Sequence, residues 1–121
     1  NSVRRNLWRW LDFCQGSDGG NTEGAQYWHY ALQNFLPFAL AYERVMGRDE
    51  GFLSNPSIRH AMNMVRVSLT NDGGCHGTND TVPVPVGGMV GWILASRFGD
   101  SFGLWYGDHA LRWFSERAHR D

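Results

Sequence analysis

The sequence predicts an all-α chain of antiparallel helical hairpins, and three observations carry that prediction. Apolar residues recur at helical spacing in successive segments, most of them opened by a capping residue or closed by a glycine. The alternating stretch "VPVPV" holds prolines that cannot donate to a ladder, so no strand is expected. The turn "DGG" occurs twice, with Asp18 and Asp72 standing 54 positions apart, and each copy follows an amphipathic segment and precedes an aromatic-rich one. Such a repeat describes a helical hairpin of about 50 residues stacked on a copy of itself, with both "DGG" turns on one rim.

Each element has its own justification. Val3, Leu7, Trp10, Leu11 and Cys14 lie at helical spacing behind Ser2, a good N-cap, so a first helix is expected to about Phe13, where "QGSDGGNT" ends it. From Glu23 or Gly24 to Met46 the pattern is helical but apolar on nearly every side, as in a helix buried between neighbours. Pro37 predicts a kink or short break inside it, and Gly47 a stop. "SNPSIRHAMNMVRVSL" opens with Asn55 as cap and Pro56 at the first helical position, then carries Ile58, Met62, Val65 and Leu69 on one stripe of a third helix. "TNDGGCHGTNDTVPVPVGG" is too rich in glycine, proline and Asn/Asp for a regular element, and its length suggests a functional loop. A fourth helix runs from about Met89 to Phe98 and stops at Gly99. One or two more span Asp100 to about Ala118, with Tyr106-Gly107-Asp108 as a joint.

The 121 residues suit one domain, and 42% hydrophobic content with six tryptophans supplies a packed core. A formal net charge of -1 without like-charge blocks argues against nucleic acid and polybasic membrane surfaces. All eleven basic residues are arginine, which suits bidentate carboxylate recognition and equally fits a codon bias. Cys14 and Cys75 form no CxxC pair, leaving disulfide formation open, and the five histidines show no metal-ligand spacing. No cofactor is expected. No apolar run reaches the roughly 18–20 residues of a membrane span, and "NSVRRNLWRW" has neither an initiator methionine nor a signal-peptide core. The expectation is an internal piece of a longer chain.

The chemistry-bearing stretch is "DGGNTEGAQYWHYALQNFLPFA", which runs from a glycine turn into a crowd of aromatics. Taken alone, Tyr27 and Tyr30, three apart on one helical face, read as core tyrosines with satisfied hydroxyls. Glu23 reads as a first-turn acid favoured by the helix dipole. His29 points away from the tyrosines, and His60, His109 and His119 read as solvated helix positions. Asp18, Asp72, Asn79 and Asp80 are ordinary turn residues. No packing pattern explains His76, Asn79 and Asp80, so a cleft lining is plausible for them.

That stretch, with the following "MGRD", resembles the heparinase II/III-like polysaccharide lyases, alginate lyases included, through their D-G-x-x-x-E-G-x-x-Y-x-x-Y stretch. The resemblance spans most of the chain; "EGAQYWHY" is its specific part and the "NDGG…GTND" loop its weaker part. It implies part of an α/α toroid, an incomplete barrel, in an enzyme that cleaves a uronate-containing polysaccharide by β-elimination, in the periplasm or outside the cell. Tyr27 and Tyr30 match the family's catalytic tyrosine, while Glu23, Trp28, His76, Asn79 and Asp80 fall where substrate is bound. Those lyases also use a neutralising asparagine or histidine from an earlier helix and a histidine from beyond the helical region, often in a β-sandwich. Both regions lie outside this chain, so activity is expected only of a longer parent.

The residue types suit the chemistry. The proton next to a uronate carboxylate is poorly acidic until that charge is neutralised, after which a tyrosine with a lowered pKa can exchange protons with the sugar. Two alternatives stand beside this reading. One is an α/α-toroid glycoside hydrolase using carboxylates among Asp18, Asp72 and Asp80; the other is a non-catalytic helical-repeat domain binding glycan or protein. Val3, Leu7, Trp10 and Leu11 at one end, and Leu111, Trp113 and Phe114 at the other, predict apolar end faces open to self-association.

Overall fold

The computed structural model describes residues 2–76 and 84–118. It is all-α in these residues: α1 (Ser2–Cys14), α2 (Ala25–Met46), α3 (Pro56–Arg59), α4 (Asn63–Ser68), α5 (Gly88–Phe98) and α6 (Ser101–Ala118). The pairings outside helices are two isolated antiparallel bridges, Gln15 with Asn21 and Leu69 with Cys75. No described helix is long and apolar enough to cross a membrane.

The long helix α2 is the centre of the packing. Ala25, Trp28, Leu32, Phe35, Leu36 and Ala39 form its buried stripe at i, i+3, i+7, i+10, i+11 and i+14. Against them pack Leu11 of α1, Phe52 and Leu53 of the following turn, Ile58 and Val65 of α3 and α4, and Val90 and Leu94 of α5. Each large side chain so enclosed contributes about 1.5–3 kcal/mol before chain entropy is counted. The opposite side of α2 is open: Tyr27, Tyr30, Phe38, Val45 and Met46 are exposed, so the helix is not buried all round. It also runs through Pro37 without a break, because Pro37 lies on that open side, where a carbonyl robbed of its donor can bond water.

Two expected elements change. The third helix is divided into α3 and α4 by a tighter segment, in which Ala61 N–H donates to Ile58 O and Asn63 N–H to His60 O. The first glycine turn docks at that break: His60 Nδ1–H donates to Ser17 O at 3.0 Å and Asn63 Nδ2 to Asp18 O at 2.8 Å. Conversely, Tyr106-Gly107-Asp108 is no joint, and α6 is continuous through it. Gly107 is there for closeness, since a Cβ would strike the Trp92 ring of α5. One turn earlier, a Cβ on Gly103 would lie 2.8 Å from Gly91 O, and one on Gly91 2.6 Å from Gly103 O. Glycines thus let α5 and α6 pack backbone to backbone as a hairpin, its corner fixed by Asp100, which accepts Phe102 N–H and Gly103 N–H.

Arg4 and Arg48 converge on Glu50 at 2.5 and 2.6 Å, Arg66 pairs with Asp100 and Arg97 with Glu43. These arginines are committed to acids of their own chain. At the ends, α1 departs from expectation: Leu11 is core, and Trp8 and Trp10 pack on Phe52 and Phe35 with centroids 5.6 and 5.4 Å apart, leaving Val3 and Phe13 exposed. Helix α6 does expose an apolar side, through Leu104, Trp105, Leu111 and Phe114.

Candidate functional site

The two "DGG" turns are built alike, bond for bond. In the first, Gly16 N–H donates to Gly20 O, Gly19 N–H to Gly16 O, and Gly20 N–H to the Asp18 carboxylate. In the second, Thr70 N–H donates to Gly74 O, Gly73 N–H to Thr70 O, and Gly74 N–H to the Asp72 carboxylate. Gly19 and Gly73 both take left-handed backbone, φ 90° and 84°, and each presses on the helix it docks against. Every paired position within the two turns keeps the 54-residue offset, so the turn itself repeats in the structure.

Each turn rests on a histidine that reads from sequence as solvated. His60 holds the first turn through Ser17 O; His109 holds the second, its Nε2–H donating to Gly73 O at 2.8 Å while its ring stacks on Trp105. The second loop is tied further by Tyr106, fully buried, whose hydroxyl accepts Val86 N–H at 2.8 Å and lies 3.3 Å from Cys75 Sγ. Burial pushes the Tyr106 phenol and the Cys75 thiol up, so both stay neutral. Cys14 and Cys75 are free thiols. Periodicity gives no sign of these anchors, because a histidine or tyrosine on a helix reads the same whether it meets water or a loop carbonyl.

Both loops reach the start of α2. The first leads directly into it through Gly24, whose carbonyl accepts Trp28 N–H. The second returns at Gly87, where a Cβ would lie 3.2 Å from both Trp28 and His29 Nδ1. The sequence-predicted residues divide there. Glu23 is exposed, its N–H donating to Asn21 Oδ1. Tyr27 and Tyr30, 46% and 66% exposed, present their phenols on the open side of the first two turns and are not core residues. Trp28, at 0%, lies inside the core with its rings enclosed, so it offers no platform for a sugar. His29 is half-buried beside Gly87 with Nδ1 enclosed and unpaired, and burial lowers its pKa. His76 is exposed in the second loop, its backbone N–H donating to Ser68 O. Asn79 and Asp80, like His119, lie outside the described residues.

Chemically, the exposed groups of the two turns and the start of α2 are the Asp18, Glu23 and Asp72 carboxylates, the Tyr27 and Tyr30 phenols and the His76 imidazole. Asp72 is occupied: Thr70 Oγ1–H and Gly74 N–H donate to it, which holds its pKa below the usual carboxylate value. No set of three His, Cys, Asp or Glu side chains suited to a metal occurs among the described residues. The chain matches no protein-family model, no curated protein and no solved structure.

Proposed function

We propose that this chain is part of the helical α/α toroid of a polysaccharide lyase that cleaves a uronate-containing polymer by β-elimination, with Tyr27 as proton-transfer group and Tyr30 as its neighbour on the same face. One observation carries the reading. The stretch that resembles the lyases, "EGAQYWHY", folds so that Glu23, Tyr27 and Tyr30 stand exposed together where α2 leaves the first glycine turn. A core pair of tyrosines would have been buried; this pair is reachable by a polymer. In the proposed reaction the uronate carboxylate is neutralised by a group from the rest of the parent enzyme, the proton beside it passes to the Tyr27 oxygen, the bond to the glycosidic oxygen breaks as the double bond forms, and that oxygen leaves with the proton that Tyr27 returns to it. Glu23 and His76 line the approach. The enzyme acts in the periplasm or outside the cell, where such polymers are found.

The hydrolase alternative is weakened by what its carboxylates do. Asp18 and Asp72 each spend an oxygen on their own turn, and Asp72, held below its usual pKa by the Thr70 hydroxyl and Gly74 N–H, is a poor general acid at neutral pH. The test is the product made by the full-length protein from alginate, glucuronan and heparan-type polymers. Elimination leaves an unsaturated sugar end that absorbs ultraviolet light; hydrolysis raises reducing ends without that absorbance. Reducing ends without absorbance would overturn the lyase reading in favour of hydrolysis, and neither product would favour a non-catalytic binding domain.

A further inference from the structure

The first glycine turn is joined to the corner of the α5–α6 hairpin by an unbroken run of hydrogen bonds. Asn63 Nδ2–H donates to Asp18 O at 2.8 Å, and the other end of the same amide, Oδ1, accepts Arg66 Nη1–H at 2.6 Å. The second guanidinium nitrogen of Arg66 donates to Asp100 Oδ1 at 2.6 Å, and that oxygen also accepts Phe102 N–H and Gly103 N–H, at 3.0 and 3.3 Å, where α6 begins. Arg66 also lies over the Phe102 ring, 4.6 Å from its centroid. Its guanidinium is thus held on three sides.

An arginine this exposed, 39% with its acid at 16%, adds little stability as a lone ion pair. Its geometry matters more. A guanidinium presents its nitrogens at set angles in one plane, so Asn63 cannot turn without leaving Arg66, and the turn carbonyl that Asn63 grips is held at the angle the corner dictates. His60 Nδ1–H gives the turn a second hold through Ser17 O. One bond would leave a pivot; two set the angle. The turn is closed at its base by the bridge between Gln15 and Asn21, and Asn21 Oδ1 accepts Glu23 N–H, so Glu23 moves with it. Tyr27 is fixed otherwise, by the core, because Ala25 and Trp28 on either side of it are both at 0% exposure. We propose that Arg66 is a positioning residue: through Asn63 and the first glycine turn it sets where Glu23 stands relative to Tyr27. The relay itself needs only these contacts, and its effect on turnover of a polymer rests on the lyase reading.

The test is amide NMR of the full chain and of variants that cut the relay at different links. Arg66→Lys keeps the charge but cannot present two coplanar nitrogens to Asn63 and Asp100. Asp100→Ser keeps a capping side chain for α6 and removes the partner of Arg66. Both should move the backbone signals of Gly19, Gly20 and Glu23 and leave those of Ala25 and Trp28 in place. Arg97→Lys, which cuts a similarly exposed pair with Glu43, should move none of the five. In an Asn63→Ala background Asp100→Ser should no longer move the turn, because the path is already cut. In the full-length protein, followed by unsaturated product from whichever of alginate, glucuronan or heparan-type polymer it cleaves, Arg66→Lys should raise KM roughly three- to tenfold with kcat nearly unchanged, a split that a general loss of folded protein does not give. Turn signals that stay in place in Arg66→Lys and Asp100→Ser overturn the relay, and so does Asp100→Ser moving them as far without Asn63 as with it. Should Asn63→Ala fail to fold, the two single variants decide against the Arg97→Lys control. Moved signals with an unchanged KM overturn the positioning of Glu23 for substrate. An unmodified protein that makes no unsaturated product overturns the lyase reading instead, and the amide signals alone then decide the relay.

Discussion

Tyr106→Phe isolates the bond that fixes the second glycine loop to α6. The ring is kept, with its packing on Phe102 at 6.1 Å, and only the hydroxyl goes. That hydroxyl accepts Val86 N–H at 2.8 Å and touches Cys75 Sγ at 3.3 Å, all at a side chain with 0% exposure. Its loss leaves a buried backbone donor without a partner, which costs about 1–3 kcal/mol. For a chain of this size 1 kcal/mol moves the melting midpoint by about 3–5 °C, so circular dichroism melts should show a fall of roughly 3–15 °C. Tyr27→Phe removes the same atom from an exposed phenol and should stay within about 0.5 kcal/mol of the parent. Equal midpoints for Tyr106→Phe and the unmodified protein would show that water or a shifted loop replaces the bond, and the anchoring of the loop as described would be wrong.

Two further outcomes follow from the same contacts. Gly103→Ala should gain about 1 kcal/mol of helix propensity, yet lose stability overall, because its Cβ would meet Gly91 O at 2.8 Å and force apart two backbones at a cost of about 1–3 kcal/mol; urea denaturation giving a more stable protein would refute the close packing of α5 and α6. His29, lowered below its ordinary pKa by burial, binds its proton more weakly folded than unfolded. Its contribution is therefore complete above about pH 6.5 and falls away as the pH drops from there, so His29→Gln should flatten the slope of stability against pH below that point, and an unchanged slope would refute the burial of the ring.

Much of the fold was legible because its ends are written in local chemistry. Asn55 and Pro56 open α3, with the Asn55 side chain accepting Ser57 N–H, and Gly47 and Gly99 close α2 and α5 in left-handed backbone. The repeated "DGG" was legible too, since a turn bonded within itself needs only its own residues. What was not legible depends on partners far along the chain. The break at His60 and Asn63 exists because a loop 43 and 45 residues earlier bonds there, and Gly107 reads as a joint until Trp92 is seen against it. Trp28, Tyr27 and Tyr30 are neighbours in sequence, but which way each faces is set by Gly87 and the core, sixty residues on. The aromatic crowd after Asp18 is thus two populations, Trp28 inward and the tyrosines outward.

The turnover of Tyr27→Phe in the full-length protein, followed by ultraviolet absorbance of unsaturated product from its preferred uronate polymer, bears on the proposed role of the tyrosine face. Tyr30→Phe is measured beside it as the same loss of one hydroxyl on the same face. The expected result is a fall in kcat of about a hundredfold or more for Tyr27→Phe, the scale of losing a positioned acid or base, with the melting midpoint unchanged. Loss of activity in Tyr30→Phe with Tyr27→Phe near full turnover would move the role to Tyr30 and keep the reaction. Full activity in both variants would contradict proton transfer from this face altogether.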